Sequence, residues 1–144
     1  MATTLAPSLS LLFSLLADRP QAGAAASQTI HDGFKWANVR RAQEAFQIKD
    51  KAFARIIGVS DRTLTRTKRD KASLDPVASD RLYRALRVLK MAVDLFEDVP
   101  PAVRWLQRPQ PGLGGKVPMD MLDTDPGSRA VETLLGQLEY GVLP

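Results

Sequence analysis

Cysteine is absent from the 144 residues, and His31 is the only histidine. The first absence excludes disulfides, iron–sulfur clusters and thiol nucleophiles, and the second leaves no set of histidines for a metal site. A Ser-His-Asp triad would have to rest on His31 alone. No apolar run reaches the ~18 residues that indicate a membrane span. We therefore expect a protein that is not an enzyme, needs no cofactor or metal, and has no membrane partner.

The N-terminal residues contain one short apolar run, Leu9–Ala17. It has the length of a signal-peptide core, but residues 1–8 contain none of the Lys or Arg that a signal peptide needs. We interpret it as an amphipathic helix that docks on the body of the protein or on a second copy, and we expect a cytoplasmic protein. Its predicted inner face consists of Leu9, Leu12, Phe13 and Leu16. The following Arg19–Gln28 is small, polar and without periodicity, which predicts a linker.

Charge is unevenly distributed along the chain, although the net charge is only +4. Residues 35–90 contain fifteen Lys or Arg against six Asp or Glu, a balance of +9. Residues 91–144 contain four against eight, a balance of −4. A basic block beside an acidic block indicates a polyanion-binding segment joined to a segment with a different partner, unless the surface is merely lopsided.

Apolar residues recur at helical spacing along most of the chain, and no segment alternates as a strand does, which predicts an all-α fold. Asp50, Ser60 and Asp75 are expected to cap three of the helices, and Asp125 to cap the last. Arg108–Pro118 is dense in Pro and Gly and is expected to be irregular. The predicted helices are Gly33–Phe46, Asp50–Ile57, Asp61–Arg69, Pro76–Asp98, Ala102–Gln107 and Ser128–Tyr140.

Within the basic block, Asp50–Arg69 has the spacing of a DNA-binding helix-turn-helix. Ala54 is small where two steeply crossing helices touch, Gly58 suits a turn with positive φ, and Leu64 points inward. The second helix would enter the major groove, where Arg pairs with guanine and Thr reaches phosphates or thymine methyls. Candidate DNA-binding residues are Ser60, Arg62, Thr63, Thr65, Arg66, Lys68 and Arg69. The alternative is a small helical domain with solvated charges that packs or dimerises.

The C-terminal segment WLQRPQPGLGGKVPMDMLDTDPGSRAVETLLGQLEYGV (Trp105–Val142) resembles the toxin-binding domain of the Xre/MbcA/ParS antitoxins. RTLTRTKRDKASLDPVASDRL (Arg62–Leu82) resembles the end of their helix-turn-helix and the start of their long helix. The resemblance covers about three quarters of the chain, from Phe34 onward. It implies a Cro/Xre-like helix-turn-helix domain joined through a long helix to a small helical toxin-binding domain.

This resemblance also implies a partner and a mechanism. The partner is a RES-domain toxin, which resembles ADP-ribosyltransferases and depletes NAD. The antitoxin's last helix and tail block the toxin's active site, and its helix-turn-helix binds the operator DNA of its own operon. Candidate toxin-binding residues are Trp105, Leu135, Leu138, Glu139, Tyr140, Val142 and Leu143. A large aromatic such as Trp105 also fits a core position that anchors the last helix.

Three units are expected along the chain: a short helix and linker over 1–30, the helix-turn-helix with its long connecting helix over 31–98, and the toxin-binding domain over 99–144. A homodimer is expected, because helix-turn-helix proteins read paired half-sites about one DNA turn apart. Two alternatives remain open. One is a stand-alone transcriptional repressor whose C-terminal domain only oligomerises, and the other is a protein-interaction module with an inactive helix-turn-helix.

Overall fold

The computed structural model describes residues 10, 13, 14, 16 and 20–141. Over this part of the chain it forms seven α-helices and two 3-10 helices, with no strand beyond one isolated bridge between Gln110 and Lys116. The all-α prediction is confirmed. The α-helices are α1 Pro20–Asp32, α2 Trp36–Phe46, α3 Asp50–Ile57, α4 Asp61–Asp70, α5 Pro76–Phe96, α6 Val99–Leu106 and α7 Asp125–Glu139. The 3-10 helices are Pro111–Leu113 and Pro118–Met121.

The predicted linker is wrong over its described residues, which form α1. Four of the thirteen residues of α1 are alanine, the residue with the highest helix propensity, so the segment forms a helix without a clear apolar stripe. Pro20 occupies the first position, where it costs no hydrogen bond. Ala26 is buried, and α1 packs on α5. His31, in the last turn of α1, is exposed.

The N-terminal apolar segment is described only in part. Phe13 is 6% exposed and belongs to the hydrophobic core, and Leu16 packs against that core. Leu9 and Leu12, the other members of the predicted inner face, lie outside the described residues. Where it is described, the segment therefore docks on the body of its own chain.

Two of the predicted helix caps are confirmed. The Ser60 Oγ accepts a hydrogen bond from the Thr63 N–H at 3.0 Å at the start of α4. The Asp75 carboxylate accepts from the Ala78 N–H at 2.8 Å at the start of α5, and Pro76 follows it. Each side chain satisfies a backbone donor that has no partner inside its helix.

The two other predicted caps are wrong by one residue. Lys49 occupies the capping position of α3 without a side-chain bond, and Asp50 is the first helical residue. Thr124 caps α7 through an Oγ1 that accepts from the Gly127 N–H at 3.1 Å, and Asp125 follows it. Both acids instead lie in a first helical turn, where the positive end of the helix dipole favours a carboxylate.

The boundaries of three other helices also differ from the prediction. α2 begins at Trp36 and not at Gly33, because Gly33 has a φ of 84°. α5 ends at Phe96, two residues early, and α6 includes Pro100 and Pro101 in its first turn, where proline is tolerated.

α5 lies at the centre of the fold. Nine of its residues are buried, and α1, α3, α6 and α7 all pack against it. Buried residues from before and after α5 form one hydrophobic cluster. Polar contacts also join the two halves. Gln107 Nε2 donates to the Phe46 carbonyl at 3.1 Å, and Arg55 forms an ion pair with Asp123 at 3.0 Å. The two parts of the chain therefore share a single core.

Candidate nucleic-acid interface and C-terminal partner surface

The turn between α3 and α4 has the geometry that its spacing predicts. Gly58 has a φ of 72°, and its N–H donates to the Arg55 carbonyl at 3.3 Å. The Val59 N–H donates to the Ala54 carbonyl at 3.0 Å, which completes a glycine-terminated helix end. Ala54 and Leu64 are 1% and 2% exposed and fill the angle between the two helices. These features position α4 as the second helix of a helix-turn-helix.

The outer face of α4 presents two unpaired guanidinium groups. Arg62 and Arg66 are exposed and one helical turn apart, and neither lies within ion-pair distance of a carboxylate in the part of the chain that the structure describes. Thr65 is exposed beside them, although its Oγ1 donates to the Asp61 carbonyl at 2.9 Å. Arginine is the side chain that pairs bidentately with guanine in the major groove.

The other predicted DNA-binding residues on this helix already have partners. Ser60 Oγ donates to Thr63 Oγ1 at 2.9 Å. Lys68 forms an ion pair with Asp50 at 3.3 Å, and Arg69 pairs with its neighbour Asp70 at 2.9 Å. These ion pairs are exposed, so they exchange readily for other partners. Exposed lysines flank the motif at Lys49, Lys51 and Lys71.

Asp50 connects three elements at the edge of this surface. It accepts from Gln43 Nε2 of α2 at 2.8 Å and from Lys68 Nζ of α4 at 3.3 Å. The hydrogen bond from Gln43 and, after it, the hydrogen bond and charge of Lys68 lower the pKa of the Asp50 carboxyl below its usual value near 3.8. In this structure the carboxylate therefore connects α4 with the helices that precede it.

The end of α7 exposes apolar side chains. Leu138 is 38% exposed, Tyr140 is 81% exposed, and Glu139 between them is exposed as well. Leu135 is only 1% exposed, so its assignment to a partner surface is wrong and it belongs to the core. Its position on the inner stripe of α7, four residues after the buried Val131, explains the difference.

Of the other residues predicted to bind a toxin, one is half-buried and two lie outside the described residues. Trp105 is half-buried and packs on Phe96 with ring centroids 5.9 Å apart, which agrees with a core role. Val142 and Leu143 lie outside the described residues. After Trp105 the chain makes a tight turn at Gly114 and Gly115, with φ values of 66° and 82°.

A polar cleft between α5 and α7 is not apparent from the linear sequence. Arg84 and Arg87 project from α5, and Asp125, Ser128, Arg129 and Glu132 line the opposite wall on α7. The residues on each helix are three or four positions apart, so the sequence shows that they share a helix face. It does not show that these two faces lie opposite each other. Within the described ranges, no helix is long and apolar enough to cross a membrane, and no cluster of His, Asp and Glu is suited to a metal ion.

Comparison with known proteins matches both halves in order. Residues 25–87 match the antitoxin Xre-like helix-turn-helix domain, and residues 91–141 match the antitoxin Xre/MbcA/ParS C-terminal toxin-binding domain. The antitoxin Xre of Yersinia enterocolitica is 35% identical over 108 residues, which cover 74% of this chain and 67% of the relative. The antitoxin Xre of Photorhabdus laumondii is 39% identical over 90 residues, which cover 62% of this chain and 61% of the relative.

A more distant relative is named the Prs ADP-ribosylating antitoxin of Sphingobium sp., at 25% identity over 78% of this chain and 76% of the relative. The chain spans 67% of the length of the Yersinia relative and 61% of the length of the Photorhabdus relative. The relatives are named antitoxins, which are regulators and not enzymes, and through them the non-enzyme prediction is confirmed. Both halves of the chain match antitoxin domains, and a relative at 35% identity covers most of it. The chain therefore belongs to the Xre/MbcA/ParS family of antitoxins.

Proposed function

We propose that this chain neutralises a RES-domain toxin that resembles ADP-ribosyltransferases and depletes NAD. The observation that carries the proposal is the exposed end of α7, where Leu138 and Tyr140 project from a segment that matches the toxin-binding domain. Apolar and tyrosine side chains exposed at the end of a helix are suited to insertion into a concave site. The end of α7 and the residues after it block the toxin's active site. The name of the Sphingobium relative, which refers to ADP-ribosylation, supports this class of toxin.

The second part of the proposal is that the chain represses its own operon. α4 enters the major groove of the operator, where Arg62 and Arg66 contact base edges. Ser60, Lys68 and Arg69 contact phosphates and set the register of the helix. A homodimer places two copies of α4 on half-sites about one DNA turn apart. We place this activity in the cytoplasm, where operator DNA and NAD are both present.

Co-expression with the product of the adjacent gene tests the toxin half of the proposal. We expect the neighbour alone to arrest growth and deplete cellular NAD, and this chain to restore both. A chain that stops after Gln137 should fold but fail to rescue, because the cut removes Leu138 and Tyr140 and leaves the buried Leu135 in place. A full-length chain with Val77→Ala, an exposed apolar residue on α5, is the control and should rescue.

A gel-shift assay with the DNA upstream of the operon tests the repressor half. A harmless neighbour together with tight operator binding would contradict the antitoxin proposal. That result would favour a stand-alone repressor whose C-terminal half only oligomerises. Rescue of growth without operator binding would instead identify an antitoxin whose helix-turn-helix serves only protein contacts.

A further inference from the structure

The cleft between α5 and α7 has a volume of about 240 Å³ and polar walls. Three arginines and two carboxylates line it, so its charges do not cancel. Arg87 pairs with Glu132 at 3.3 Å, and Arg129 pairs with Asp125 at 2.8 Å. Both pairs are partly exposed. The third arginine, Arg84, carries the remaining positive charge.

Arg84 is poorly satisfied where it lies. Its Nη2 donates to the Leu122 carbonyl at a long 3.5 Å, and its Nε is buried without a hydrogen-bond partner among the described residues. In the same part of the chain no carboxylate lies within ion-pair distance of its guanidinium. A partly buried cation without a counter-charge is unfavourable, and an incoming anion would relieve this cost.

The position of the cleft links it to the proposed toxin surface. Its α7 wall lies within residues 91–141, the segment that matches the toxin-binding domain. Arg129, Gly136 and Tyr140 follow one another at spacings of seven and four residues, so they share one face of α7. Beside Gly136 there is open space, since an added Cβ would meet no atom within 4 Å. An open face about 16 Å long therefore runs from the cleft to Tyr140.

We propose that this cleft receives an Asp or Glu side chain of the toxin, with Arg84 as its ion-pair partner. The inference rests on the proposed function and adds a second anchor to the interface, at the opposite end of α7 from Tyr140. A carboxylate suits the cleft, because one unpaired guanidinium matches one negative charge and presents a fork of donors to two oxygens. Asp125 and Glu132 disfavour a doubly charged phosphate in the same space.

The test measures affinity between the full-length chain and the purified toxin of the adjacent gene. Arg84→Gln removes the charge and keeps a donor near the Leu122 carbonyl. We expect it to weaken the complex about tenfold, as the loss of one desolvated interfacial ion pair does. Arg104→Gln is the matched control, because Arg104 is exposed on α6 outside the cleft, and it should leave the affinity within about twofold.

A double-mutant cycle then identifies the toxin residue. Each acidic residue on the toxin surface is replaced by its amide and combined with Arg84→Gln, and we expect one of these pairs to be non-additive. An unchanged affinity for Arg84→Gln, or additivity with every acidic residue, would overturn the proposal.

A loss of affinity in Arg84→Gln could also come from partial unfolding of the variant, so its melting temperature is measured as well. If Arg84→Gln melts at a lower temperature than the wild type, Arg129→Gln tests the same cleft from its exposed wall, and an unchanged affinity there counts against the proposal. Absence of any complex with the wild-type chain would contradict the proposed function itself. A wild-type complex that Arg84→Gln leaves intact would remove only the cleft.

Discussion

Arg81 on α5 donates from Nη1 to the carbonyl oxygen of Gly58 at 3.3 Å, at the turn between the two helices of the helix-turn-helix. The contact forms because Gly58 has a positive φ of 72° and no side chain. A Cβ at this position would collide with the guanidinium of Arg81. The long helix therefore contacts the turn of the helix-turn-helix at a position where the absence of a Cβ leaves room for Arg81.

Gly58→Ala should destabilise the fold. A residue with a Cβ in the left-handed region loses about 1–2 kcal/mol, and displacement of the flexible end of Arg81 adds little to that loss. Gly23→Ala in α1 is the control, because its Cβ would meet no atom within 4 Å and alanine favours a helix. Urea unfolding should show a lower midpoint for the first variant and an equal or higher midpoint for the second. Equal midpoints for Gly58→Ala and the wild type would contradict the role given to the turn.

Arg62→Ala/Arg66→Ala should weaken operator binding without loss of stability, because both side chains are exposed and lie beyond ion-pair distance of any carboxylate among the described residues. A bidentate contact to guanine contributes about 1–3 kcal/mol, so the loss of two should weaken binding at least tenfold. Arg104→Ala/Arg108→Ala removes the same charge from exposed positions in the other half and serves as the control. Fluorescence anisotropy with operator DNA measures both. Equal weakening by the two double variants would indicate a non-specific charge effect.

Leu135→Ala and Leu138→Ala should separate folding from partner binding. Leu135 is 1% exposed, and its truncation should lower the free energy of unfolding by about 2–5 kcal/mol. Leu138 is 38% exposed, so Leu138→Ala should leave the melting temperature nearly unchanged and weaken the toxin complex. Thermal unfolding and a pull-down with the toxin distinguish the two effects. A stable Leu138→Ala variant that binds the toxin as the wild type does would exclude this residue from the interface.

Ser79→Ala should destabilise the protein although it is a small change. Ser79 is fully buried, and its Oγ accepts a hydrogen bond from the Phe34 N–H at 2.9 Å. Loss of the acceptor leaves a buried N–H unpaired, which costs about 1–3 kcal/mol. Ser27→Ala on the exposed side of α1 is the control and should be neutral or slightly stabilising. Chemical denaturation measures both, and equal stabilities for the two variants would contradict the prediction.

Asp50→Asn should make the stability less dependent on acidic pH. The pKa of Asp50 is lowered in the folded state, so its ionised form stabilises the fold above the unfolded value near 3.8. That contribution disappears as the pH falls through the lower folded pKa. The stability difference between wild type and Asp50→Asn should therefore shrink as the pH falls below about 5. The effect is modest, since the Asp50 side chain is half-exposed.

Local signals predicted the helix-turn-helix well because its determinants lie close together in the sequence. Ala54 and Leu64 fill the buried angle between two short helices, and Gly58 supplies the positive φ of the turn that joins them. α1 was missed because alanine supports a helix through backbone propensity, which leaves no apolar periodicity to detect. The confirmed caps at Ser60 and Asp75 follow the same local logic.

Contacts between distant segments were not predictable from spacing. Spacing places Leu135 on the inner stripe of α7, but the extent of the contact between α7 and α5 decides that Leu138, three residues later, stays 38% exposed. The Arg84 cleft depends on the same packing, because Arg84 and Arg129 lie 45 residues apart. The ion pair between Arg55 and Asp123 likewise joins segments that no local pattern connects.

The single core around α5 makes the stability of each half depend on the other. The buried apolar residues of α5 belong to the hydrophobic core of both halves. If one half unfolds, the other therefore loses part of its core. The chain should therefore unfold in one cooperative transition. A single proteolytic cut or a destabilising substitution on either side of α5 would then abolish both proposed activities, operator binding and toxin neutralisation, together.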